Sequence, residues 1–194
     1  LDSKPAKTPA GNIITCPTEK LAQAICREWE EQDEKVIPKN MPLSQIQITQ
    51  IDFLEGRREE VSQKILENVN TDLLFYRAKN PPELHEKQKE IWDQWLDWMN
   101  TEFMIHFETT TQLNVIEQEQ SIHDAIESYV RGLDKNKFAL FYVLVNICGS
   151  VILPMVFLEG EANSQDLFQA VQVEEIYKQK FYDEIDPDTQ SVHE

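Results

Sequence analysis

Residues 138–158, FALFYVLVNICGSVILPMVFL, run for 21 positions without a charged side chain. A stretch of about 20 apolar residues can cross a bilayer, so such a run has two solutions: a membrane span, or a helix buried on all sides at the centre of a bundle. Asn146, Gly149, Ser150 and Pro154 interrupt it, and neither a second apolar segment nor an aromatic belt accompanies it. One buried apolar helix is therefore the expected solution, with no membrane insertion.

The neighbours such a helix needs are legible as amphipathic stripes. Pro17 and Thr18, a candidate N-cap, precede Leu21, Ala24, Ile25 and Trp29 at helical spacing. Pro38 and Pro42 bracket a turn. Leu43–Ile51 is ambiguous between strand alternation and a loose helical face, and is read as helix. Val61, Ile65, Leu66 and Val69 give clear helical spacing that Asn70-Thr71-Asp72 ends. The clearest helix starts at Pro81-Pro82 and reaches Phe103, with three of the four tryptophans, Trp92, Trp95 and Trp98, on one apolar arc. Ile122, Ile126, Tyr129, Val130 and Leu133 form a further face, and a last helix is expected from Ser164 to Tyr182.

Ahead of these stripes, Leu1–Thr15 reads as extended or hairpin structure: Asp2-Ser3 and Ala10-Gly11-Asn12 are turn clusters, and Ile13 and Ile14 are strand formers. The expected fold class is α+β, mainly α. A small N-terminal strand-plus-helix domain over 1–41, truncated at its start, leads into a C-terminal helical bundle over 42–194.

With 18 Lys and Arg against 35 Asp and Glu, the formal charge is -17. A phosphate backbone would repel such a chain, so nucleic acid is not an expected partner. Residues 159–194 hold ten acids and two bases, Lys178 and Lys180, a balance of -8 that suits a basic protein surface. Cys16, Cys26 and Cys148 are odd in number and far apart, which suits a reducing compartment without disulfides or a zinc site.

Catalytic signals are weak. The five glycines form neither GxxxxGK[ST] nor GxGxxG, so no nucleotide cofactor is expected. His123 and Glu127, at i and i+4, could share a metal or simply interact on a helix surface, and the surface reading is preferred. Ser150 lies in the apolar run with no histidine near it in sequence and no GxSxG around it. Neither an enzyme nor a metal protein is expected.

The last helix carries the most informative residue. With Leu167 at zero, Val171 lies near about 40°, Phe181 near about 320°, Ala170 near about 300° and Tyr177 near about 280°, which puts Glu174 near about 340°, inside their arc. A carboxylate on an apolar stripe either meets a hydrogen-bonding partner inside the fold or marks a face that waits for another protein. Glu174, Leu167, Val171, Tyr177 and Phe181 are therefore the candidate partner-binding residues.

An ordered series over nearly the whole chain resembles the F-type ATP synthase assembly chaperone family. It comprises Leu1-Asp2, Lys7-Thr8-Pro9, Glu28-Trp29, Met41-Pro42-Leu43, Ile51-Asp52, Tyr76-Arg77-Ala78, Pro82-Glu83-Leu84, Trp92-Asp93 with Trp98, Gly149-Ser150, and Val173-Glu174-Glu175 with Tyr177. The resemblance implies a small N-terminal α+β domain, a helical C-terminal domain, and a monomeric chaperone in the bacterial cytoplasm or the mitochondrial matrix. Its implied partner is the free α subunit, held without ATP turnover until the β subunit replaces it; an adaptor with a different client is the alternative. Glu174 matches the family's acidic position, and Trp29 the tryptophan of the first helix, expected to pack rather than touch the client. Asp2-Ser3 stands where the family has Asp-Gly, and Tyr182-Asp183 where it tends to Trp-Gly.

Overall fold

The computed structural model describes residues 5–185, with side chains up to Lys180. Leu1-Asp2, Ser3, the side chains of Phe181 and Tyr182-Asp183, and the end of the acidic tail lie outside the described residues. Among the described residues eight α-helices form: α1 Glu19–Glu30, α2 Pro42–Ile48, α3 Arg58–Glu67, α4 Pro82–Phe103, α5 Gln120–Gly132, α6 Lys135–Cys148, α7 Ile152–Glu159 and α8 Ser164–Ile185. They divide into two compact units, residues 1–66 with 127–144, and residues 67–126 with 145–194. The chain passes from one unit to the other within α5 and returns within α6.

In the first unit the expected strand-plus-helix arrangement does not form. Among the described residues there is no strand, only the isolated bridges Lys7–Ile13 and Tyr76–Thr110. Residues 6–14 do turn back on themselves, with Thr8 N–H donating to Asn12 O at 2.8 Å and Ile14 N–H to Ala6 O at 2.9 Å. Gly11 supplies the turn at φ +88°. Pro5 and Pro9 lack the outward N–H groups that would pair this segment with a further strand, and a two-stranded hairpin alone is marginal in water. Its polar groups go instead to one carboxylate: Asp52 accepts from Thr8 Oγ1 at 2.7 Å, Asn12 Nδ2 at 2.9 Å and Ala10 N at 3.3 Å. Those bonds hold the Asp52 carboxyl below the usual range, the Asn12 bond most strongly.

Helix α1 begins as its sequence requires, with Thr18 Oγ1 accepting from Leu21 N at 3.2 Å. Its inward polar residue is Glu28, whereas Trp29, expected to pack, stays 36% exposed. Glu28 takes the buried position because it caps α2. Oε1 accepts from Leu43 N at 2.7 Å, and Oε2 from Ser44 N at 2.8 Å and Ser44 Oγ at 2.6 Å. An interaction of this capping type contributes about 1–2 kcal/mol. The ambiguous 43–51 segment is helical, continuing from α2 as a π-helical turn over Thr49–Leu54. Its buried residues are Ser44 and Gln47, not the isoleucines, and Gln47 Nε2 donates to Thr15 O at 2.7 Å. Further along the same unit, Arg58 lies over the Phe138 ring at 4.4 Å and donates to Leu133 O and Val130 O, covering carbonyls at the end of α5.

The second unit holds the largest fully buried side chain, that of Trp92. Trp92, Phe75, Ile122, Ile126, Ile152, Leu153, Met155 and Val156 are almost wholly removed from solvent, and α4 packs against α7 and α8. The expected single apolar helix over 138–158 is broken here: α6 ends at Cys148, Gly149 turns at φ +61°, and α7 starts at Ile152. Thus Gly149-Ser150 form a junction rather than part of a helix. The cause is Asp72, a buried carboxylate that accepts from Val151 N at 2.6 Å, Ile152 N at 3.1 Å, Ser150 Oγ at 3.0 Å and Leu74 N at 3.0 Å. It satisfies the otherwise unpaired donors of a new helix start, where Pro154, in the first turn, costs no hydrogen bond. Burial nevertheless pushes the Asp72 carboxyl above its ordinary value. No helix of the described residues is long and apolar enough to cross a membrane.

Candidate functional site

Helices α4 and α8 lie side by side in the second unit and are joined through polar groups as well as apolar ones. Leu167, Ala170 and Val173 of α8 are buried, and Trp92 Nε1 of α4 donates to Ala170 O at 2.8 Å. Next to that seam runs a buried network. Arg77 stacks on Trp92 at 4.9 Å, donates through Nη2 to Asp93 Oδ1 at 2.6 Å and through Nη1 to Gln88 O at 3.0 Å. Burial pulls the Arg77 guanidinium below its ordinary value, and Asp93 offsets part of that pull. Gln88 has no exposed surface; its Oε1 accepts from Ala78 N at 2.6 Å and its Nε2 donates to Glu174 Oε1 at 3.0 Å.

Glu174 is thus half-buried and partnered inside the unit, at the outer end of the Arg77–Gln88 network. The other candidate residues separate around the same helix. Leu167 belongs to the core, Val171 and Tyr177 are half-buried, and the Phe181 side chain is outside the described residues. Of the four whose side chains are described, Tyr177 alone lines the groove between α4 and α8. This groove has a volume of about 480 Å³ and is also bounded by Ile91, Val173, Ile176, Glu90 and Lys180. Among the described residues its walls mix apolar surface with charges of both signs, a lining that suits side chains of a protein partner.

The residues weighed for catalysis have other partners. His123 Nε2 lies 3.0 Å from Asn70 Oδ1, and Glu127 pairs with Arg131 at 2.8 Å. Ser150 Oγ donates to Asp72 and accepts from Leu153 N at 3.0 Å. Among the described residues no group of three or more His, Cys, Asp or Glu side chains is placed to hold a metal ion.

Sequence reasoning missed Gln88, because a glutamine between Glu86-Lys87 and Lys89-Glu90 reads as solvent-facing. The signal was positional: Gln88 falls at i+4 from Leu84 and i−4 from Trp92, in the middle of the apolar stripe.

A family model described as ATP12 chaperone protein matches residues 1–100. The crystal structure of Atp12 from Paracoccus denitrificans is similar to this chain with a TM-score of 0.83 at 28% identity, covering 93% of this chain and 77% of that one. The Atu1473 protein of Agrobacterium tumefaciens, described as a candidate chaperone, is similar with a TM-score of 0.86 at 28% identity, covering 94% and 68% respectively.

Proposed function

Because this chain belongs to the ATP12 chaperone family, an ATP synthase assembly chaperone family, we propose that it holds the free α subunit and keeps it from aggregating until the β subunit takes its place. The match over residues 1–100, extended by fold similarity over nearly all the chain, carries this reading. A ring subunit without its neighbours exposes apolar interface that self-associates unless another protein covers it. No nucleotide enters this scheme, since covering a surface takes binding energy alone.

The α4–α8 face is where we place the principal contact. Tyr177, Ile176 and Val173 offer apolar area along a groove, and the acidic C-terminal helix favours encounter with a basic client. Glu174 stands beside that face with its carboxylate only partly enclosed, so Val171 and Glu174 extend the surface that a client can cover. The protein acts as a monomer, in the bacterial cytoplasm or the mitochondrial matrix.

The test is to mix the protein with freshly refolded α subunit from the same organism, without nucleotide, and to measure complex mass by light scattering on a sizing column. A one-to-one complex with suppressed aggregation is expected. A client that aggregates as before, with no complex, overturns the reading; stoichiometric binding to some other protein instead would make the chain an adaptor.

A further inference from the structure

The segment between α4 and α5 is a built loop whose tip faces solvent. Its neck is closed by Gln118, which accepts from Glu108 N at 3.0 Å and donates to Glu108 O at 2.9 Å, a two-way clamp on one residue. Thr110 is fixed by the bridge to residues 75–77, with Arg77 N donating to Thr110 O at 2.7 Å and Thr110 N to Phe75 O at 2.8 Å. Phe107 is buried with its ring centroid 5.2 Å from that of Phe75, and Tyr76 Oη accepts from Ile116 N at 3.3 Å. These ties fix the two ends of the loop, residues 107–110 and 116–118.

On this anchored frame Leu113 is fully exposed and Val115 is 60% exposed. Neither contributes to the core, and both leave apolar surface in water. Along the chain the charges that flank them are of one sign: between residues 102 and 119 stand Glu102, Glu108, Glu117 and Glu119, all exposed, and no Lys or Arg.

From this arrangement we infer that the 107–118 loop is a second client contact, in which Leu113 and Val115 enter an apolar recess bordered by Lys or Arg side chains on the client subunit. The inference rests on the proposed function for the client's identity, and on the loop alone for the chemistry of the recess. A short tip between two fixed ends has less freedom to lose on binding than an unanchored loop, so two aliphatic anchors can act as hot spots, and the glutamates supply charge complementarity to a basic rim.

The test measures binding of refolded α subunit to three proteins: wild type, Leu113→Asp with Val115→Asp, and Glu117→Lys with Glu119→Lys. Both changed pairs are exposed, and unchanged circular dichroism and melting curves are expected for each. The first variant is expected to bind about tenfold or more weakly, as for loss of interface anchors. The second is expected to associate more slowly and with less dependence on salt. Wild-type binding with unchanged affinity in the first variant overturns the loop contact and leaves the proposed function standing. Unchanged association of the second overturns the basic border. Failure of the wild type to bind overturns the function and this inference together. Self-association of the wild type that the first variant abolishes would assign the loop to a second copy and overturn the client contact.

Discussion

Removing the bond between Gln88 and Glu174 should cost stability in a way that a purely client-facing acid would not. A hydrogen bond to a charged group contributes about 1.5–3 kcal/mol net, and the half-open position of Glu174 lets water compete, which favours the lower end. Glu174→Ala also leaves a donor of the fully buried Gln88 amide without its partner. We expect a loss of about 2 kcal/mol, or a melting temperature lower by about 4–8 °C for a chain of this length. Gln88→Ala should cost about 3 kcal/mol, because Ala78 N loses its acceptor and a cavity forms as well. In a double-mutant cycle the two should be coupled by about 1–1.5 kcal/mol. Urea unfolding followed by tryptophan fluorescence suits the measurement, since Trp92, Trp95 and Trp98 all lie on α4. A coupling energy below about 0.3 kcal/mol would refute the argument. Glu174→Gln keeps an oxygen acceptor for Gln88 without the charge, so a near-native stability with weaker client binding would separate the two roles of this side chain.

Asp72→Ala should destabilise the second unit by about 3–5 kcal/mol, because Val151 N, Ile152 N, Leu74 N and Ser150 Oγ lose one shared acceptor in a dry interior. Ser150→Ala should cost about 1 kcal/mol, and chemical denaturation of both variants checks the ratio. Burial, and secondarily Asp72, push the Cys148 thiol up to about 11, whereas Cys26 is exposed. Iodoacetamide at neutral pH should therefore label Cys26 in the native protein and Cys148 only after unfolding; peptide mass spectrometry showing equal rates would contradict that burial.

Much of the helical content was legible because helix formation leaves a local trace. The Thr18 cap, the Pro81-Pro82 start of α4, and the stripes Ile122–Val130 and Leu84–Met99 each depend on residues within a few turns of one another. The uncharged run over 138–158 misled for the opposite reason. Its apolar character is satisfied equally by one helix or by two, and the choice lies with Asp72, about 80 residues earlier in the chain. The N-terminal segment is a similar case: Ile13 and Ile14 favour strand, but the residues that decide its conformation are the prolines and the distant Asp52. At the candidate site, the placement of Glu174 on an apolar stripe was readable, while its partner Gln88 was hidden in a polar residue type.

The series that marks the family gains a physical meaning from these contacts. Glu28 caps α2, Asp52 secures the N-terminal turn, Arg77 joins Asp93 and Trp92, Ser150 binds Asp72, and Glu174 binds Gln88. Sequence by itself determined where amphipathic helices start and which faces they bury, because periodicity and caps are local properties. It also determined the kinship, through residues whose order survives without their geometry. Tertiary structure alone decided which carboxylates are structural clasps, where the apolar run breaks, and which aliphatic side chains remain in water. Those outcomes depend on donors and acceptors separated by 15 to 86 positions, and a chain's order does not encode which of them meet until the core has formed.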